Sequence, residues 1–150
     1  MIRLSAGLCA ALLSLSAMAD APQTTMDVIA AAQRDTTRPL IDYCILHQPG
    51  LKDQLEASFN RYGSKVDEAL APLLEKVRAD ESAHRPQTEL TNLHNKLMEQ
   101  AQQKINRLKV ADSGHYCNWM ITQLDSITVE GFRKQMSDGY ELFSKMAAAD

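Results

Sequence analysis

Cys44-x-x-His47 and His115-x-Cys117 are where this chain places groups with coordination and redox chemistry close together. Residues three apart share a helix face, and thiolate and imidazole both bind zinc or copper, so the four side chains would make a full ligand set if the two segments met. The same two sulfurs have a competing fate. In an oxidising compartment an even pair of cysteines closes as a disulfide, so the choice between metal and bridge turns on where the chain resides.

The first twenty residues bear on that choice. Met1-Ile2-Arg3 is a short positive start, and Leu4 to Ala17 is an apolar run too short for a stop-transfer helix. Ala17-Met18-Ala19 before Asp20 has the small-x-small pattern of a signal-peptidase site. The reading is a signal peptide over residues 1–19 and one periplasmic or secreted domain over residues 20–150. Cys9 leaves with the leader, and Leu8 is too bulky for Cys9 to become the acylated first residue of a lipoprotein. Cys44 and Cys117 are then the only cysteines left and are predicted to pair. The chain-entropy model gives such a long loop a stabilisation on the order of 4 kcal/mol.

With the sulfurs consumed, His47, His115 and Met120 remain as the alternative metal ligands. Met26, Met98, Met120, Met136 and Met146 would suit cuprous ion, but each lies in or beside an apolar stripe, where methionine fills gaps in a core. His94 could face a bundle cavity as a ligand of non-covalent haem; no Cys-x-x-Cys-His is present for covalent attachment. Nor is there a Gly-x-Ser-x-Gly elbow, a His-Glu-x-x-His pair or a phosphate-binding glycine loop. Glu68, Glu75 and Glu99 could be paired carboxylates for sugar cleavage, yet bundle surfaces carry such residues routinely. The chain is therefore expected to hold no cofactor and no catalytic group.

Bulk composition narrows the class further. The formal net charge is −3, becoming −4 without Arg3, and no long block of like charge occurs, which disfavours a nucleic-acid partner. Lys104, Arg107 and Lys109 form a small cationic group whose place near a helix end complements the dipole. Hydrophobic residues at 45% and charged residues at 23% are ordinary for a globular domain, and beyond the leader no apolar run approaches membrane length.

The elements that must position these groups are read from periodicity. Thr24 or Thr25 caps a weak first helix carrying Met26, Ile29 and Ala30, after a frayed start from Asp20 to Gln23. Pro39 to His47 forms a second, with Leu40, Ile41, Cys44 and Ile45 inward. Leu51, Leu55, Phe59, Tyr62, Val66, Leu70, Leu73, Leu74 and Val77 mark one stripe of a long helix, kinked near residues 68–70 because Pro72 removes a backbone donor. Leu90, Leu93, Leu97, Ala101, Ile105 and Leu108 mark a second long helix after Pro86, and the short connection predicts an antiparallel neighbour. Ser113 is the expected N-cap of a short helix with Cys117, Met120, Ile121 and Leu124 on one side, and the stretch His115 to Met120, with the only tryptophan, is expected to anchor the core. Thr128 caps a last helix with Ile127 and Phe132 as a staple and Val129, Met136, Tyr140, Phe143 and Met146 along its stripe.

No alternating strand pattern appears. The expected fold is an all-α bundle with two long antiparallel helices and shorter flanking ones, stapled by Cys44–Cys117. The expected function is non-enzymatic binding of another envelope protein, as an inhibitor, immunity partner, chaperone or maintenance factor; a metal- or haem-binding bundle is the alternative.

Overall fold

The computed structural model describes residues 23–147, with side chains for residues 23–142. The expected leader with Cys9 and the side chains of Phe143 and Met146 lie outside these. The protein is an all-α bundle: α1 (Thr25–Asp35), α2 (Arg38–His47), α3 (Lys52–Arg78), α4 (Gln87–Arg107), α5 (Ser113–Ser126) and α6 (Val129–Ala147). Single 3-10 turns at Pro49–Leu51, Glu81–Ala83 and Val110–Asp112 join some of them. Among the described residues there is no strand, only an isolated bridge between Thr24 and His84. No described helix is long and apolar enough to cross a membrane.

Helix α1 starts where the threonines predict; of the stretch expected to be frayed, Asp20 to Pro22 lie outside the described residues. The Thr24 hydroxyl accepts from the backbone N–H of Asp27, and the Asp27 carboxylate accepts from the Thr24 backbone N–H at 2.9 Å, a reciprocal capping box. Gln23 is tied down as well, its N–H donating to Asp27 and its carbonyl accepting from the Arg85 N–H. The box is buried, with Thr24 0% exposed. Arg78 donates to the same carboxylate from the end of α3 at 2.7 Å. Burial of Asp27 works against its charge, but the hydrogen bonds from Thr24, Arg78 and the backbone outweigh it and hold its pKa below the usual aspartate value.

Helix α3 is the trunk of the bundle. Leu55, Tyr62, Val66, Leu70, Leu73 and Val77 are buried along one face, as their spacing predicts, and α1, α2, α5 and α6 all pack on this helix. The helix continues unbroken through Pro72. Proline offers no N–H to the carbonyl four residues back, which here belongs to Glu68. Arg133, reaching across from α6, supplies the missing donor: Nη2 donates to the Glu68 carbonyl at 3.3 Å and Nε to that of Ala69 at 3.4 Å.

The second long helix, α4, runs opposite to α3 but is not packed against it as the short connection suggested. Asp27 pairs with Arg78 and Arg34 with Asp67, so α1 is antiparallel to α3. Thr24 bridges His84 and Asp35 pairs with His94, so α1 is parallel to α4. Helix α4 accordingly lies mainly on α1 and α2. A connection of eight residues fixes direction, while the choice of neighbour follows from which apolar faces remain open after α1 and α5 cover α3. Of the expected α4 stripe, Leu90 and Ala101 are buried, and Leu93, Leu97, Ile105 and Leu108 are only half-buried.

Helix α5 begins one residue earlier than expected. Asp112 occupies the cap position without a side-chain bond, and Ser113 is the first helical residue. Its buried hydroxyl instead accepts from Gln48 Nε2 at 2.8 Å, tying the end of α2 to the start of α5. Thr128 caps α6 as predicted, accepting from the Gly131 N–H, and Ile127 and Phe132 both pack on the core.

Candidate functional site

Cys44 and Cys117 are bonded to each other, with alpha-carbons 5.5 Å apart and both residues 0% exposed. The bridge joins α2 to α5, and the sulfurs have no capacity left for a metal. Around it runs a chain of rings: His47 on Tyr43 at 4.5 Å between centroids, Tyr43 edge-on to Tyr116 at 6.4 Å, and Tyr116 against Trp119 at 5.7 Å. Burial pushes the Tyr116 phenol up, and Tyr43 beside it adds to the shift. Among the described residues no three His, Cys, Asp or Glu side chains cluster as metal ligands would.

The stretch around Cys117 is split rather than buried as a block. Cys117, Met120 and Leu124 face the core, and Trp119 is 48% exposed. At 100° per residue Trp119 stands about 160° away from Cys117 around the helix, so anchoring the disulfide puts the indole outside. Trp119 and Tyr116 line a shallow cleft of about 580 Å³ with Arg107, Leu108, Lys109, Asp112 and His115. His47 is not part of it. The pair of histidines expected beside the bridge thus serves two surroundings: His47 stacks on Tyr43 at the end of α2, and His115 is an exposed wall of the cleft.

The remaining sequence candidates are dispersed. His94 Nε2 lies 2.9 Å from Asp35 Oδ2, which engages the nitrogen that a haem iron would need. Met26 and Met120 are buried, Met98 and Met136 half-buried, on four different helices. Glu68, Glu75 and Glu99 are exposed, two on α3 and one on α4, which do not pack on each other.

A larger opening lies where α4 and α6 diverge. Helix α4 is carried away by α1, while α6 packs on α3, so the faces of α4 and α6 that point toward each other leave a groove of about 830 Å³. Its floor is Met26 and Ile29 of α1 with Val77 of α3; Leu93 and Leu97 form one wall, Met136 and Tyr140 the other. Asp80, Ser82 and Arg85 set a polar rim at one end. Its size falls within the range of small-molecule and peptide pockets, and its lining is mainly aliphatic with methionine on two sides.

No family model, curated protein or solved structure matches this chain. The groove was not legible beforehand, because Leu93, Leu97 and Met136 carry the same periodic signal whether they are covered by a neighbour or line an opening.

Proposed function

We propose that the protein is an exported, non-enzymatic binding protein that holds an apolar segment of another envelope protein in the groove between α4 and α6. What supports the reading is the groove itself, an opening lined by Met26, Ile29, Leu93, Leu97, Met136 and Tyr140 on rigid helices. An amphipathic helix presents side chains at i, i+3, i+4 and i+7, and a groove between two helices offers such a row continuous apolar contact. Methionine in the floor and in one wall lets the lining adapt to the segment it receives. The buried disulfide and the leader pattern fit an oxidising compartment outside the cytoplasm.

The test is site-specific photo-crosslinking in intact cells, with the reactive residue at Leu97 in the groove or at exposed Glu99 on the same helix. A discrete adduct from Leu97 and none from Glu99 is expected, and Leu97→Glu should abolish partner capture with little loss of stability. His47→Ala combined with His115→Ala should leave capture intact. Equal labelling from both positions refutes the groove. Loss of capture in the histidine variant at unchanged stability, with stoichiometric metal in the parent protein, replaces the reading with a metal site.

A further inference from the structure

The end of the bundle away from the groove has a different chemistry. Ten residues of α4 carry the chain from Leu97 to Arg107, about 15 Å at 1.5 Å per residue, and the helix ends there with Lys104 and Arg107, followed by Lys109 just past the cap. None of the three forms an ion pair among the described residues, whereas Arg34, Arg38, Arg61 and Arg78 all do. Asp112 is the one carboxylate of the adjoining cleft, and the nearby start of α3 adds Lys52 and Asp53, one charge of each sign. A chain with formal net charge −3 therefore concentrates uncompensated positive charge at one end.

Large apolar groups are exposed at the same end. Trp119 is 48% exposed, Val110 in the turn after α4 is 60% exposed, and Leu46, next to His47 at the end of α2, is 74% exposed. The ring chain His47–Tyr43–Tyr116–Trp119 connects the α2 and α5 parts of this surface, and the cleft connects α5 to the end of α4.

We propose that this end docks on an anionic lipid surface. Tryptophan and tyrosine favour the depth of lipid headgroups, and lysine and arginine place their charge at the phosphates while their aliphatic stems cover apolar surface. A soluble polyanion would engage the three cations but would leave Leu46 and Val110 in water; a bilayer interface buries them as well. The net negative charge of the rest of the molecule repels the same surface and so fixes the orientation, with the groove held away from the lipid.

Trp119 is the only tryptophan, which makes it a built-in reporter. Protein purified in its processed form, with its N-terminus checked by intact mass, is titrated with vesicles of equimolar phosphatidylglycerol and phosphatidylcholine or of phosphatidylcholine alone. The anionic vesicles should sediment the protein and shift Trp119 emission to the blue, salt should reverse both effects, and neutral vesicles should do neither. Each cation near the surface contributes about fivefold in affinity, so Lys104→Gln, Arg107→Gln and Lys109→Gln together should weaken binding on the order of a hundredfold. Trp119→Ala and Val110→Ser should weaken binding with helicity and melting temperature unchanged. Absence of sedimentation at low salt overturns the proposal, as does undiminished binding of the triple glutamine variant. A response of Trp119 to polyglutamate without sedimentation by anionic vesicles overturns it in favour of an acidic protein segment.

Discussion

Arg133 and Pro72 form a pair whose coupling can be measured. Pro72→Ala restores an N–H for the Glu68 carbonyl, and Arg133→Met keeps the aliphatic reach of the side chain while removing both donors. The bonds to Glu68 and Ala69 are long, at 3.3 and 3.4 Å, and the Glu68 carbonyl is near solvent, so each contributes toward the low end of the usual range, about 0.5 kcal/mol. Arg133→Met should then cost about 1 kcal/mol in the parent protein. In the Pro72→Ala background the helix satisfies Glu68 itself, and the cost should fall to about 0.5 kcal/mol or less. Pro72→Ala alone should stabilise by about 1–3 kcal/mol, the interior proline penalty reduced by what Arg133 already recovers. The assay is a double-mutant cycle by urea denaturation, in which a coupling of about 0.5 kcal/mol or more is resolvable. Strictly additive effects would show that water, rather than Arg133, satisfies the carbonyl.

Reducing the Cys44–Cys117 bridge, whose cysteines are 73 residues apart, should cost about 4 kcal/mol in the entropy model; urea melts of oxidised protein and of Cys44→Ala/Cys117→Ala check it, and a loss under about 1 kcal/mol would refute the constraint argument. Asp27→Asn should cost about 2–3 kcal/mol at neutral pH, since the buried carboxylate anchors the capping box and Arg78. Because the folded pKa of Asp27 lies below its ordinary 3.8, its contribution is present above that value and lost as pH falls through the folded value; parent and variant should therefore converge in acid, and a constant difference would contradict the linkage. Gly63→Ala places a Cβ 2.8 Å from Arg34 Nε, but a guanidinium on a flexible chain can move, giving up only an exposed pair with Asp67 while the helix gains about 0.8–1 kcal/mol in propensity. The net change should be within about 0.5 kcal/mol by calorimetry; a large loss would mean that the approach of α1 to α3 depends on the glycine.

Much of this architecture is written locally. The α3 stripe from Leu55 to Val77 and the caps at Thr24 and Thr128 each depend on residues within one or two turns, and the sequence carries them openly. The disulfide was legible because the leader pattern sets Cys9 apart and leaves Cys44 and Cys117 as the pair expected to close. What escaped involves distant partners or helix phase. Ser113 looks like a cap until Gln48 arrives from 65 residues away. Trp119 looks like a core residue until Cys117 sets the rotation of α5. Helix α4 looks like the partner of α3 until α1 is seen to lie along it, and the groove exists only because α1 and α3 draw α4 and α6 to different sides.

The bridge between α2 and α5 also bears on how the chain closes its sulfurs. The whole sequence contains three cysteines, which permit three one-bridge isomers, and only one is native. Under the proposed export, a precursor oxidised while it still carries residues 1–19 would trap Cys9 with either Cys44 or Cys117, leaving a sulfur stranded in the core. In a chain without Cys9 a single pairing remains, so oxidation needs an electron acceptor but no reshuffling. If export proceeds as proposed, production of the protein should be sensitive to the timing of removal of residues 1–19 and to a thiol oxidase, and indifferent to a disulfide isomerase.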